Sequence, residues 1–208
     1  MSAVLSRRAV LAAPLLAAPL LAMPARAADP AAATPIQALV QAILGAMRAG
    51  RATPFPQRFN MLLPAVDRAF DLQAVLAASV GPRLASLPAG EQAALLDVFR
   101  KFTVASYASN FDSFEGERME VVPDQRSVGS DLVVGTRLVP VRGDTVTIDY
   151  VMRQGPQGWK AVDVLLNGSI SQNAVKRSDF RSLVTTSAQP LIESLRRKVA
   201  ELSGGTMS

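Results

Sequence analysis

Residues 131–171 read DLVVGTRLVPVRGDTVTIDYVMRQGPQGWKAVDVLLNGSIS, and this stretch decides the fold. Three runs of alternating apolar residues, 131–141, 145–153 and 159–168, are separated by Arg142-Gly143-Asp144 and by Gln154-Gly155-Pro156-Gln157-Gly158. Both connections carry the glycine that short hairpin loops demand, so the runs predict three consecutive antiparallel strands. In the middle run Val146, Ile148, Tyr150 and Met152 share one face, while Thr145, Thr147, Asp149 and Arg153 share the other. Leu132, Val134 and Leu138 extend the apolar face on one side, and Val162, Val164 and Leu166 on the other. A one-residue slip would turn an apolar set outward, so the alternation also suggests a register. A three-residue loop at 142–144 pairs Leu138 with Ile148 and Val134 with Met152; a five-residue loop at 154–158 pairs Tyr150 with Val162 and Ile148 with Val164. The polar face then carries Arg137 opposite Asp149, and Asp149 opposite Asp163.

The apolar face must be covered, and the flanking sequence supplies helices. Thr34-Pro35 reads as an N-cap followed by proline at the first helical position, and Gly50 closes that helix. Thr53-Pro54-Phe55-Pro56 opens a second helix, which Pro64 is expected to kink or split. Asp71 caps a short third helix over 72–80, stopped by Gly81-Pro82. A longer helix starts at Leu87-Pro88-Ala89-Gly90-Glu91 and carries Phe99, Phe102, Tyr107 and Phe111 near one face. A further strand is expected over 118–122, then a polar linker over 123–130, and two closing helices lie over 172–185 and 190–202. The fold class is α+β: a curved antiparallel sheet of about four strands covered by an N-terminal group of helices and two C-terminal helices. The four aromatics serve either as packed core or as the walls of a cavity held open over the sheet, since both use the same apolar alphabet.

The start of the chain reads as an address and not as structure. Ser6-Arg7-Arg8, an apolar run over 9–23 and Ala25-Arg26-Ala27 follow the order of a secretory signal with an A-x-A cleavage site. Pro14 and Pro19 interrupt the run, which favours a cleaved signal over a membrane anchor; Arg7-Arg8 leaves the Sec and twin-arginine routes both open. The remaining 28–208 is then one domain, with 19 basic and 17 acidic residues and a net charge of +2. That balance is no nucleic-acid footprint. Absence of cysteine and histidine removes disulfides, zinc-thiolate sites, His-ligated metals and the Ser-His-Asp triad. The acidic group Asp112, Glu115, Glu117 and Glu120 lacks the spacing of a calcium loop and reads as a solvated strand edge. Arg142-Gly143-Asp144 and Asn167-Gly168-Ser169 match short adhesion and glycosylation patterns, but both stand where turns are needed.

An ordered series of segments carries a resemblance: Ile148-Asp149-Tyr150, a glycine turn, Trp159-Lys160-Ala161-Val162-Asp163-Val164, Asn167-Gly168-Ser169-Ile170-Ser171, and Lys176-Arg177-Ser178-Asp179-Phe180. The series resembles MlaC-type periplasmic proteins, the lipid-binding auxiliary components of an ABC-transport system. The region from Leu165 to Ser171 and the Arg177-Ser178-Asp179-Phe180 beyond it look most like the hopanoid-associated HpnM branch. The resemblance implies a soluble periplasmic carrier with an apolar cavity between sheet and helices, a phospholipid or hopanoid as ligand, and docking on inner- and outer-membrane lipid-transport complexes. It implies no cofactor, no nucleic acid and no membrane span after cleavage. Its implied lining is Phe99, Phe102, Tyr107 and Phe111 on the long helix, with Leu132, Val134, Leu138, Val146, Ile148, Tyr150, Met152, Val162, Val164 and Leu166 on the sheet. A two-chain lipid of about 30 methylenes at ~0.8 kcal/mol each offers gross binding energy without any catalytic group. Two rivals remain: a small α+β enzyme sharing a proton between Asp149 and Asp163 as an acid/base pair, and an adaptor that binds protein and no lipid.

Overall fold

The computed structural model describes residues 29–207, so the signal sequence read over 1–27 lies outside the described residues. The sheet is antiparallel in the order β1-β2-β3-β4-β5. Its strands are β1 (Arg118–Val128), β2 (Asp131–Val139), β3 (Val146–Gly155), β4 (Gly158–Leu166) and β5 (Ile170–Ser171). Five helices precede it: α1 (Pro30–Ala49), α2 (Phe55–Ala69), α3 (Leu72–Val80), α4 (Arg83–Ser86) and α5 (Ala89–Asn110). Two follow, α6 (Gln172–Phe180) and α7 (Gln189–Leu202).

The helices depart from the sequence reading at the start of α1, at the end of α6, which stops at Phe180 and not at 185, and at α4, which was not expected. Asp29 and Pro30, not Thr34 and Pro35, open α1: the Asp29 carboxylate accepts the Ala31 amide at 2.9 Å, and Pro35 lies inside the helix. Asp29 also takes the Trp159 indole N–H at 3.0 Å, which ties the start of α1 to the sheet. Pro64 does not split α2, which runs through it to Ala69. Asp71 caps α3 as expected, accepting the Ala74 amide at 2.9 Å. At the chain's far side of α5, Arg58 is buried and donates to the carbonyls of Ala108 and Thr53, so α2 and α5 are joined by a charge that satisfies backbone acceptors.

The sheet keeps the expected faces but not the expected partners. Leu138 pairs with Val146, Thr136 with Ile148, Val134 with Tyr150 and Leu132 with Met152, a slip of two residues from the register inferred above. Pro140 has no N–H for the ladder, so β2 stops at Val139 and a six-residue connection replaces the three-residue loop. Between β3 and β4 the loop is tighter than expected: Gly155 pairs with Gly158, leaving Pro156-Gln157 as the turn, with Gly158 at φ 86°. Segment 123–128, expected as linker, instead extends β1 after a register irregularity between Val121 and Gln125.

A bulge in β4 changes the face of one half of the strand. Met152 pairs with Ala161, whereas Val151 pairs with Asp163, so Val162 is the extra residue. Trp159 and Ala161 therefore share the inner face before the bulge, and Val164 and Leu166 share it after. Asp149 stands opposite Leu165 and Gly135, not opposite Asp163 or Arg137. The Arg137–Asp149–Asp163 ladder does not form.

Helix α1 packs against β1, β2, β3 and β4 and against α2, while α5 is sandwiched by α2, α3 and α7. Ile36, Leu39 and Ile43 of α1 are fully buried, as are Leu132, Val134, Tyr150 and Met152 of the sheet. Phe99 of α5 meets Phe180 of α6 edge-to-face, with ring centroids 6.3 Å apart.

Candidate functional site

The aromatic face of α5 does not rest fully on the sheet. Between α5, the α2–α3 junction, α6 and the β3–β4 end of the sheet lies a half-open cavity of about 360 Å³. Helix α5 contributes Phe99, Phe102, Thr103, Ser106, Tyr107, Asn110 and Phe111. The sheet contributes Ile148, Tyr150, Asp163, Val164 and Leu166. Tyr107 stacks on Phe111 at 5.9 Å, and Phe70 meets Tyr107 at 6.0 Å and Tyr150 at 6.1 Å, so the aromatics brace one another around the space.

The structure brings together eight of the sequence-predicted residues: Phe99, Phe102, Tyr107 and Phe111 with Ile148, Tyr150, Val164 and Leu166. The other six lie elsewhere. Leu132, Val134 and Met152 are packed core, because α1 covers that part of the sheet. Val162 is buried at the bulge, outside the main core cluster. Leu138 is half-buried beyond the cavity, and Val146 is 40 % exposed, which puts it outside any enclosed lining.

Sequence reasoning missed two walls. One is Phe70, Leu72 and Val75, from the end of α2 and from α3; the other is Gln172, Asn173, Val175, Lys176 and Asp179, from α6. Val175, a lone valine on a short polar helix, makes no stripe that could have marked α6 as a wall. Asp163 fixes α6 in place. Its carboxylate accepts the Val164 amide at 2.8 Å, the Ser171 hydroxyl at 2.5 Å and the Asn173 amide at 3.1 Å. Ser171 in turn accepts the Ala174 amide at 3.1 Å as the N-cap of α6. Asp149 is engaged separately, with the Arg126 guanidinium at 3.2 Å. The two aspartates neither face each other nor share a partner, so the acid/base pair has no geometry here.

The polar groups of the cavity wall are mostly satisfied by the protein. Thr103 and Ser106 donate back to the Phe99 and Phe102 carbonyls at 2.9 and 2.8 Å, and the Asn173 side chain donates to the Val162 carbonyl at 2.7 Å. Lys176 makes no ion pair within 4 Å among the described residues; burial holds its pKa below the ordinary lysine value, with Asp163 and Asp179 acting in the opposite sense. The Tyr150 hydroxyl is fully buried, and the polar group that acts on it is the neighbouring Tyr107 phenol.

Burial pushes the Tyr150 phenol up to about 12 and raises Tyr107 well above the usual 10. These are the only two tyrosines in the chain. Between pH 10 and 12 an unfolded chain releases protons that the folded chain keeps, so stability falls as pH rises through that window, by about 3 kcal/mol for a two-unit shift at Tyr150. A spectrophotometric titration should therefore show almost no tyrosinate at pH 10, where a free tyrosine is half-ionised, and then a cooperative rise together with unfolding. Simple titration of either tyrosine centred at pH 10 in folded protein would mean that it is not held in the wall.

The family model described as MlaC protein matches residues 37–197. No curated protein matches the chain. Among solved structures the chain is similar to a phospholipid-binding protein from Ralstonia solanacearum, determined in complex with a phospholipid. That similarity has a TM-score of 0.70 at 18% identity and covers 83% of this chain and 98% of the other. At that identity it speaks to the fold.

Proposed function

Because the chain belongs to the MlaC family, we propose that it is a soluble periplasmic lipid carrier, which shields the apolar part of one lipid and moves it between inner- and outer-membrane complexes. The observation that carries this reading is the half-open cavity walled by aromatic and aliphatic side chains of α5, α3 and the sheet, with charged residues of α6 at its edge. The fold neighbour's phospholipid supports the same ligand class, and the signal sequence read at 1–27 supports export.

Size sets how the cavity is used. If a methylene is given the ~30 Å³ share of a water molecule, the 360 Å³ holds on the order of a dozen methylenes, about one acyl chain. Burying them represents about 10 kcal/mol of gross driving force. A two-chain phospholipid or a hopanoid, the ligand of the HpnM-like variant of this reading, requires the walls to part. The nine-residue α6, tied by Asp163 and Ser171 at its N-terminus and farther along by Arg177 on the Ala78 carbonyl and Phe180 on Phe99, is the wall whose release would widen the space. The head group stays at the edge with Lys176, Asp179 and Gln172, in keeping with a mature chain of modest net charge.

Mass spectrometry of an organic extract from the purified mature protein tests this directly. The expected result is a near-stoichiometric lipid, phospholipid or hopanoid by its mass. A protein purified without detergent that yields no lipid, and takes none up from vesicles, would reject the carrier reading in favour of an adaptor.

A further inference from the structure

Large apolar side chains left in water are few in this protein, and they are not scattered. Among the described residues seven are exposed, and five of them, Phe114, Val141, Val146, Ile170 and Val175, stand at one end of the molecule. Strand pairing defines that end. Arg118 meets Val139, Leu138 meets Val146, Ile148 meets Leu166 and Leu166 meets Ile170, which gathers the starts of β1, β3 and β5 with the ends of β2 and β4. The loop after α5 that carries Phe114 lies on the β2–β3 connection, where a Cβ on Gly116 would stand 3.3 Å from the Val141 side chain. The cavity opens at the same end, since α5 finishes just before β1 and α6 follows β5 directly. Its exposed lining residues are Asn110, the last of α5, with Val175 and Asp179 of α6. Apolar surface runs without a break from wall to rim: Val146 shares a face with the cavity residue Ile148, and Ile170 is the cross-strand neighbour of the cavity residue Leu166.

Two features of the rim point to what it meets. Its five side chains are spread over four separate segments, the α5–β1 loop, the β2–β3 connection with the start of β3, β5, and α6. Charges of both signs stand beside them: Arg48 lies 5.3 Å over the Phe114 ring and Glu115 follows it, Arg142 and Asp144 fall between Val141 and Val146, and Lys176 and Asp179 follow Val175. A protein partner needs a contiguous, closely packed patch with a matching shape, which separate tips do not offer. A fluid lipid layer closes around each tip, and a balanced ring of charge suits zwitterionic head groups without requiring an anionic surface. We propose that this rim seats the mouth of the cavity directly on a bilayer of zwitterionic lipid, so that an acyl chain passes between membrane and cavity without crossing water. The inference rests on the carrier reading and adds to it the surface and the partner through which lipid enters.

The test follows uptake of a self-quenched fluorescent phospholipid from protein-free phosphatidylcholine vesicles by delipidated mature protein. Val141→Asp/Ile170→Asp places charge on two rim residues that do not line the cavity, 59% and 50% exposed in the wild type. Val128→Asp is the control, a valine equally exposed at the far end of β1. The double variant should melt with the wild type and take up lipid about tenfold more slowly, while Val128→Asp matches the wild type. A Val141→Ser/Ile170→Ser pair gives the same reading should the aspartates lower the melt. Wild-type uptake should change little between about 0.05 and 0.5 M salt, because no net charge drives it. Uptake by both rim variants at the wild-type rate, equal slowing by Val128→Asp, or a steep fall with salt would each overturn the proposal. Protein that is purified with lipid but takes none from protein-free vesicles would assign the rim to a partner protein and leave the carrier reading standing. Protein that holds no lipid from any source brings down the carrier reading itself.

Discussion

Ile148→Arg should give a protein that folds and carries no lipid. Ile148 lies in the cavity wall, paired with Leu166 on one side and Thr136 on the other, and is only 7% exposed. Its carbonyl accepts the Thr136 hydroxyl at 2.8 Å, an interaction that the side-chain change leaves alone. An arginine here projects into space that the ligand needs. Its stem can lie along Val164 and Leu166 while the guanidinium reaches toward Asp179 at the cavity edge. Were this part of the face solid core instead, the same change would bury an unpaired charge at a cost of several kcal/mol, enough to unfold a domain whose total stability is about 5–15 kcal/mol. A thermal melt and a lipid extract of the same sample separate the cases. A folded variant that retains its full lipid content would place the ligand elsewhere.

The same residue shows what the sequence could and could not reveal. That Ile148 faces inward followed from alternation alone. That it pairs with Thr136 and not Leu138 did not, because a slip of two residues keeps every side chain on its face and leaves the apolar pattern unchanged. Only Pro140, unable to donate to the ladder, hinted at the longer connection. The bulge at Val162 had a signal of its own, the adjacent apolar pair Ala161-Val162, which breaks alternation and marks the change of phase. Asp29-Pro30 and Thr34-Pro35 are equivalent helix starts by local chemistry. What favours the first is its contact with Trp159, a partner 130 residues away.

The cavity was legible to the same degree. Its α5 and β3 walls could be read because each is a periodic face with large side chains. Its α3 and α6 walls could not, since their lining residues are too few per helix to form a stripe and are picked out by tertiary packing. Leu132, Val134 and Met152 look like cavity residues by the same alternation, but they lie under α1, and where a helix crosses a sheet is not written in the pattern of the strand. The two aspartates are the clearest case. The inferred register set them side by side on the polar face; the tighter turn and the bulge together place Asp163 opposite Val151, where it holds the start of α6, and leave Asp149 with Arg126.

The aspartates should therefore respond very differently to substitution. Asp163→Ala removes the acceptor for the Val164 and Asn173 amides and the Ser171 hydroxyl, and it takes a negative charge from the N-terminus of α6. Charge-assisted bonds contribute about 1.5–3 kcal/mol each and do not add fully, so a loss of about 3 kcal/mol is expected. For a domain of this size that lowers the melting temperature by roughly 6–12 °C. The functional effect should be larger than the stability effect, because the element released is a wall of the cavity: Asn173, Val175 and Lys176 all hang on α6. Lipid should leave faster, and hydrogen exchange should speed up in α6 before it does so in β3. Asp149→Asn touches a pairing with Arg126 in which the guanidinium side is 51% exposed and the carboxylate side 11%, so it should cost about 1–2 kcal/mol, less than Asp163→Ala, and leave lipid content unchanged. If Asp163→Ala melts with the wild type and keeps its lipid, α6 is held by its packing on α3 and not by the carboxylate. If Asp149→Asn is the variant that empties the protein, the ligand reaches the opposite face of the sheet, and the cavity is not its site.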